Sequence, residues 1–193
     1  MSLIPIINTH KISPTVTQSS IHNKTALLAN TTQVLSSILT TAYNASEEID
    51  SPPSLLLLSE SNRDALLQYT YNSVSQLPIQ HSFKSPFLGW EIEQIAGFLT
   101  ENAQGTVVDQ TVFLVADGQT AEDEDTFLLV HNLDCSLQSI RVSAAHSNKE
   151  AVSVSVGTKD LNELRSLADD GVFRGCGRGQ PPLKGGRAPR KQL

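Results

Sequence analysis

The sequence predicts an α+β protein with a mixed, largely antiparallel sheet of about five strands and two to four packed helices. Three observations indicate this class. A run of four leucines at residues 55–58 is typical of a short strand buried on both faces. Apolar residues at helical spacing follow it as far as Leu99. From Val107 onward, apolar runs separated by short polar connections replace them, and short connections favour antiparallel pairing.

The beginning of the chain shows no periodicity. Residues 1–31 contain two prolines, scattered apolar residues and many hydroxyl side chains, which predicts an arm without fixed structure. Residues 32–53 are interpreted as a peripheral helix and an acidic linker that contains two adjacent prolines. The helix is indicated by apolar residues at helical spacing: Val34, Leu35, Ile38, Leu39 and Ala42.

Residues 54–175 are interpreted as a single domain that begins with the leucine strand. Asn62 or its neighbour can cap a helix that Pro78 ends. Apolar and polar residues alternate over 79–83, which predicts a brief second strand. Residues 90–99 carry an apolar face at helical spacing and predict a further helix.

The second half of this domain is predicted to be mostly strand. Apolar runs at 107–115 and 127–130 predict two strands, and Ile140 with Val142 marks a third. Three valines alternate strictly with serines over 152–156, which predicts a last, half-buried strand.

A short amphipathic helix is predicted to close the domain. Asp160 is placed to cap its first turn, and Leu161 and Leu164 lie on its apolar face. Gly171 is the expected left-handed terminator, after which Val172 or Phe173 folds back onto the last turn of the helix, with the Phe173 ring as the anchor in the core.

The end of the domain also carries a resemblance to a family. The apolar runs at 111–117 and 128–130 and the six residues at 170–175 resemble uncharacterised proteins found mainly in actinobacteria and fungi. The six residues, interpreted as a structural signature, are Asp170, Gly171, Val172, Phe173, Arg174 and Gly175. Where that family carries Arg-Thr-Asp-Phe after the first strand, this chain has Leu-Ser-Glu-Ser at 58–61. The family has no assigned activity, so the resemblance implies domain limits and no catalytic residue.

Charge is distributed unevenly along the chain. The net charge is −6, yet six of the 14 basic residues follow Phe173, where no acidic residue occurs. The part before Arg174 therefore has 8 basic against 20 acidic residues, and an acidic surface repels phosphate backbones. Residues 176–193 are interpreted as a disordered basic tail. Nucleic-acid binding is thus not expected of the folded body and is left open for the tail.

Metal, cofactor and membrane motifs are not found in the sequence. Cys135 and Cys176 form no Cys-x-x-Cys pair, the histidines have no metal-ligand spacing, and no glycine-rich loop precedes a helix. The sequence therefore predicts no metal and no cofactor. The apolar runs fall short of a membrane span and of a signal-peptide core, so we expect no membrane association and an intracellular, cytoplasmic location.

One group of polar residues suggests chemistry. Asp117 and His131 lie at the ends of adjacent predicted strands, with Asp134 nearby, which indicates a candidate acid/base cluster. Three hypotheses follow, and the first is favoured. The chain is a protein-interaction or structural module without enzymatic activity, with an unidentified protein partner. It is alternatively a small-molecule enzyme or ligand-binding domain that uses the cluster, or a weak nucleic-acid binder through its tail.

Overall fold

A sheet of six strands with six helices makes up the part of the chain that the structure describes. The computed structural model describes residues 2–10, 23–133 and 136–175, with the backbone alone for 23–31. The strands are β1 Ile4–Asn8, β2 Leu55–Leu57, β3 Val112–Ala116, β4 Thr126–Leu133, β5 Ser136–Ser143 and β6 Val172–Phe173. The helices are α1 Asn23–Glu47, α2 Arg63–Leu66, α3 Ile92–Asn102, α4 Gly118–Asp123, α5 Ala144–Ser155 and α6 Leu161–Ser166. The predicted α+β class is confirmed.

The strand order across the sheet is β2-β1-β3-β4-β5-β6. β1 runs parallel to both of its neighbours, and β6 runs parallel to β5. The antiparallel ladders between β3 and β4 and between β4 and β5 are the longest, which agrees with the predicted mixed sheet. The strand predictions at 55–57, 127–130 and around Ile140 are confirmed, and the strand predicted over 107–115 is confirmed from Val112 onward. Over residues 107–111 the structure has only an isolated bridge, at Val108.

Two apolar cores cover the two faces of the sheet, because side chains alternate along each strand. Val112 and Leu114 of β3 belong to one core together with buried residues of α1, α5 and α6. Phe113 and Val115 point the other way and pack with α3 and with Phe87. Strands buried on both faces are apolar throughout, which is why β3 has no polar residue.

The prediction of an unstructured arm is wrong for Ile4–Asn8, because these residues form the strand β1. All five residues are buried, and β1 lies between β2 and β3. Pro5 argued against a central strand because proline has no N–H for the ladder. Leu3 bridges Val108 while Ile6 pairs with Leu114, so the neighbouring chain has three extra residues opposite Pro5. The side of Pro5 that lacks an N–H therefore faces this bulge, where the ladder of hydrogen bonds is interrupted.

The predicted strand at Val152 to Val156 is also wrong, because these valines lie in or directly after α5. The buried residues of α5 include Ala144, Ser147, Ala151 and Val154, whose spacing of three or four residues is helical. Small alanine and serine side chains form much of this face. The hydropathy pattern is therefore dominated by the valines and does not show the helical period of the small buried residues.

Smaller corrections concern element ends. α1 begins at Asn23 rather than near residue 32, and α6 ends at Ser166, five residues before Gly171. The helix capped by Asn62 ends at Leu66 instead of reaching Pro78, and residues 67–78 form turns and irregular structure. Residues 79–83 form turns and irregular structure instead of a strand.

One irregular segment passes from one face of the sheet to the other across the carboxyl ends of β1 and β2. Ile79 belongs to the core under α1, whereas Phe87 belongs to the core under α3. Between them, the Ser85 hydroxyl donates to the Asn8 carbonyl (2.5 Å), and the Gly89 N–H donates to the Thr9 carbonyl (3.0 Å). We call residues 75–89 the crossing segment.

Candidate functional site

The structure does not bring the three predicted cluster residues together. Asp117 follows the carboxyl end of β3, whereas His131 pairs with Val112 at the start of the same strand. Val112 and Asp117 are also five positions apart, and an odd spacing places side chains on opposite faces of a sheet. Asp134 lies outside the described residues. The predicted proximity of Asp117 and His131 is therefore wrong, because in an antiparallel pair the end of one strand meets the start of the next.

Asp117 instead joins α4 to the sheet. Its carboxylate accepts a hydrogen bond from the Thr120 N–H (3.0 Å), and its own N–H donates to the Thr120 hydroxyl (3.2 Å), so the two residues form an N-terminal capping box. The Thr120 hydroxyl also donates to the carboxylate (3.1 Å). The Arg141 guanidinium on β5 donates to both carboxylate oxygens, with 3.0 Å between Nη1 and Oδ1. The Arg141 side chain is only 10% exposed, so this ion pair is largely shielded from water.

The protonation of Asp117 reflects these contacts. Burial raises the pKa of its carboxyl group, but the hydrogen bonds from Arg141 and Thr120 and the Arg141 charge outweigh burial and lower the pKa below its ordinary value. Asp117 is thus a poor proton acceptor with four internal hydrogen bonds. Its geometry indicates a structural clamp that fixes α4 against β3 and β5.

The signature at 170–175 forms a turn followed by β6. The backbone groups of Asp169 and Val172 exchange hydrogen bonds of 3.1 and 2.9 Å. Asp170 (φ 47°) and Gly171 (φ 77°) lie between them, and two central residues with positive φ define a type I′ turn. The predicted helix terminator is therefore a hairpin-type turn. The predicted return of Phe173 to the core is confirmed, since Phe173 is 1% exposed.

Two polar side chains, His146 and Lys159, lie close to the Phe173 ring of β6. The His146 ring meets the Phe173 ring at 87° with 5.7 Å between centroids, and Lys159 Nζ lies 5.8 Å from the Phe173 centroid. Lys159 also forms an ion pair of 2.7 Å with Glu150, which is 1% exposed. These contacts fasten the signature to α5.

His146 is enclosed from two further sides. Its Nδ1 atom lies 3.0 Å from the Ser143 hydroxyl, and an ideal Cβ on Gly175 would fall 2.2 Å from its Nε2 atom. Burial lowers the pKa of the His146 imidazole below its ordinary value, and the Lys149 and Lys159 charges lower it further. Glu150 and Asp125 act in the opposite direction. Because Gly175 covers Nε2, the Ser143–His146 pair indicates structure rather than nucleophilic chemistry.

A cleft of about 440 Å³ opens at the carboxyl end of β2. One wall is formed by Leu57, Ser59 and Glu60, and the other by seven residues of the crossing segment between Ser75 and Lys84. We call this space the β2 cleft. Its polar lining consists of the hydroxyls of Ser59, Ser75 and Ser82, the amides of Gln76 and Gln80, and the charged groups of Glu60 and Lys84.

The two walls of the β2 cleft are held together by a half-buried tyrosine. The Tyr43 hydroxyl lies 3.1 Å from the Leu55 carbonyl and 3.2 Å from the Ser75 carbonyl, to which it donates. Ser75 in turn accepts the Leu57 N–H at its hydroxyl (2.6 Å). Burial raises the pKa of Tyr43, so its hydroxyl stays a donor. The cleft is therefore preformed.

The β2 cleft was not predicted from the sequence. Glu60 was detectable, because it lies two residues beyond the continuous leucine run at 55–58, and the carboxyl ends of strands often carry functional residues. The approach of Lys84 was not detectable, because it depends on an irregular segment that hydrophobic periodicity does not describe.

The described residues contain no grouping of three or more His, Cys, Asp or Glu side chains suited to a metal ion. None of their helices combines the length and the hydropathy that crossing a membrane requires.

Fold and site together define an α+β protein with a preformed polar cleft at the carboxyl edge of its parallel strands. A family model described as "Domain of unknown function (DUF6924)" matches residues 64–176. Because the match covers more than half of the chain, the chain belongs to this family. No curated protein and no solved structure matches it. The matched range starts in α2 and includes Lys84 but not Glu60.

Proposed function

We propose that this chain is a small-molecule-binding domain and that the β2 cleft is its binding site. The observation that carries the proposal is the preformed space of about 440 Å³ with apolar and polar lining. Sites for small molecules are concave, span roughly 300–1,000 Å³ and combine apolar walls with a few polar groups.

The topology supports this position. After β1 the chain continues to α1 on one face of the sheet, and after β2 it continues towards α3 on the other. When the connections after two adjacent parallel strands pass to opposite faces of the sheet, these connections diverge at the carboxyl ends of the strands and leave a crevice there. Open sheets bind ligands outside the carboxyl ends of such strands, and the β2 cleft lies there, between the end of β2 and the crossing segment.

A tryptophan that fills the cleft tests the proposal. Ser59 lines the β2 cleft, whereas Ser61 is an exposed residue two positions further along that does not. We expect NMR screening of the full chain against mixtures of sugars, amino acids, carboxylates and nucleosides to give a ligand that shifts resonances of residues 75–84. Ser59→Trp should abolish that binding, and Ser61→Trp should preserve it.

Two outcomes would contradict the proposal. One is a screen in which none of these compound classes shifts the cleft resonances. The other is a ligand whose affinity is unchanged by Ser59→Trp, since it would bind elsewhere.

The remaining hypotheses stay predictions. One of them is that the chain binds a protein partner. The exposed large apolar residues, such as Ile49, Leu133 and Val156, lie in separate parts of the sequence and do not point to one docking surface. Isolated exposed apolar residues are normal in soluble domains. Nucleic-acid binding by the tail concerns 176–193, outside the described residues. A cytoplasmic location and the actinobacterial and fungal range of the signature are likewise predictions.

A further inference from the structure

The β2 cleft contains one acidic and one basic side chain that do not pair. Glu60 belongs to the wall that follows β2, and Lys84 belongs to the wall of the crossing segment. Ion pairs with N–O distances up to 4.0 Å join Arg141 to Asp117 and Lys159 to Glu150, whereas neither Glu60 nor Lys84 forms one with a described residue. Both side chains are exposed. The two charges are thus available to a ligand.

An apolar surface lies in the same cleft. Leu57 is 7% exposed and Ile79 is 9% exposed, and both belong to the core under α1. The half-buried Phe83 ring packs against the same core. Hydrogen bonds hold two of these residues in place: the Leu57 N–H donates to the Ser75 hydroxyl (2.6 Å), and the Ile79 N–H donates to the Ser36 hydroxyl of α1 (2.9 Å). A ligand therefore meets a surface that is already formed.

We infer that the β2 cleft binds an aliphatic α-amino acid. Its ammonium group pairs with Glu60, its carboxylate pairs with Lys84, and its side chain packs on Leu57, Ile79 and Phe83. This inference rests on the proposed function and names the ligand class.

Ligands with fewer charges satisfy the site less well. A neutral sugar displaces water from Glu60 and Lys84 without replacing the charge-assisted hydrogen bonds that these groups can form. A ligand with only a carboxylate pairs with Lys84 but brings a like charge into the space that contains Glu60. A zwitterion satisfies both groups.

Leucine and two analogues that each lack one charged group test the inference. We expect NMR titration of the full chain to show binding of L-leucine at residues 75–84, at least about tenfold tighter than 3-methylbutylamine or 4-methylpentanoate, a difference of about 1.4 kcal/mol. Glu60→Gln should weaken the binding of leucine and the amine, and leave the binding of the carboxylate unchanged or tighter. Lys84→Gln should weaken the binding of leucine and the carboxylate only.

Matched controls have the same charge change elsewhere. Glu122→Gln and Lys149→Gln alter exposed residues that do not line the cleft, and they should leave leucine binding unchanged. Equal affinity for leucine and both analogues would overturn the inference, as would a loss of affinity that is the same in all four variants. Binding of D-glucose but not leucine in the cleft would overturn the inference while supporting the proposed function. Binding of neither leucine nor any screened compound would overturn both.

Discussion

Gly175 and Gly171 share one backbone conformation but have different surroundings. Both have φ near +80°, a region that L side chains rarely adopt. A Cβ at Gly171 would meet nothing within 4 Å, whereas a Cβ at Gly175 would overlap the His146 ring. The two positions therefore separate the cost of the dihedral angle from the cost of a clash.

Alanine substitutions at these glycines should differ in their effect on the free energy of unfolding. Gly171→Ala should cost about 1–2 kcal/mol, the penalty of the left-handed region. Gly175→Ala should cost a further 1–3 kcal/mol or so, because a rigid ring must move in a packed site. Urea unfolding of both variants measures the difference.

The His146→Ala background provides the control. Removal of the ring should reduce the additional cost at Gly175 to nearly zero, and the cost at Gly171 should not change. Equal costs at the two glycines in the parent chain would show that the chain does not pass against His146 in solution.

At the scale of elements, β6 is a strand of two residues that depends on side-chain contacts. Val172 and Phe173 pair with Arg141 and Val142, and Phe173 is fastened by His146 and Lys159. A short edge strand makes few ladder hydrogen bonds. Its attachment should therefore respond to the charge of His146.

The stability of the chain should fall in acid through His146. Because its pKa is lowered in the folded state, the unfolded chain binds the proton more readily. The stabilising contribution is thus present above about pH 6.5, the value of an unperturbed histidine, and is lost as the pH falls below it.

A comparison with His146→Gln isolates this contribution. Between about pH 7 and pH 5, the range in which histidine titrates, the free energy of unfolding of the parent should fall more steeply than that of the variant. Above pH 7 the two curves should run parallel, which serves as the internal control. Identical slopes from pH 7 to pH 5 would contradict the folded-state contacts of His146.

Elements with a strong apolar period were predictable, and those defined by other forces were not. The leucine strand and the strands that contain Phe113 and Leu129 were recognised because burial on both faces requires apolar runs. α5 was misread because its buried face uses alanine and serine. β1 was missed because five residues carry little periodic information and Pro5 argued against a central strand.

The candidate site was predictable only in part, because a site depends on pairs of distant residues. Asp117 was correctly placed at a strand end, but the register that separates it from His131 is a property of the folded sheet. The β2 cleft likewise depends on Tyr43 joining two segments 20 residues apart, Leu55 and Ser75. Periodicity along one segment contains no information on such contacts.

At the scale of the whole molecule, the folded unit should extend from β1 to β6. We expect the fragment 54–175, which lacks β1 and α1, to show no cooperative thermal transition and a poorly dispersed NMR spectrum. β2 pairs with β1 in the described sheet, so without β1 it has no partner, and loss of α1 uncovers the side of α5 against which α1 packs. The fragment 2–175 keeps every described element and should melt like the full chain. A dispersed spectrum and a cooperative transition for 54–175 would instead show that β3 to β6 form a stable domain without the N-terminal βαβ unit.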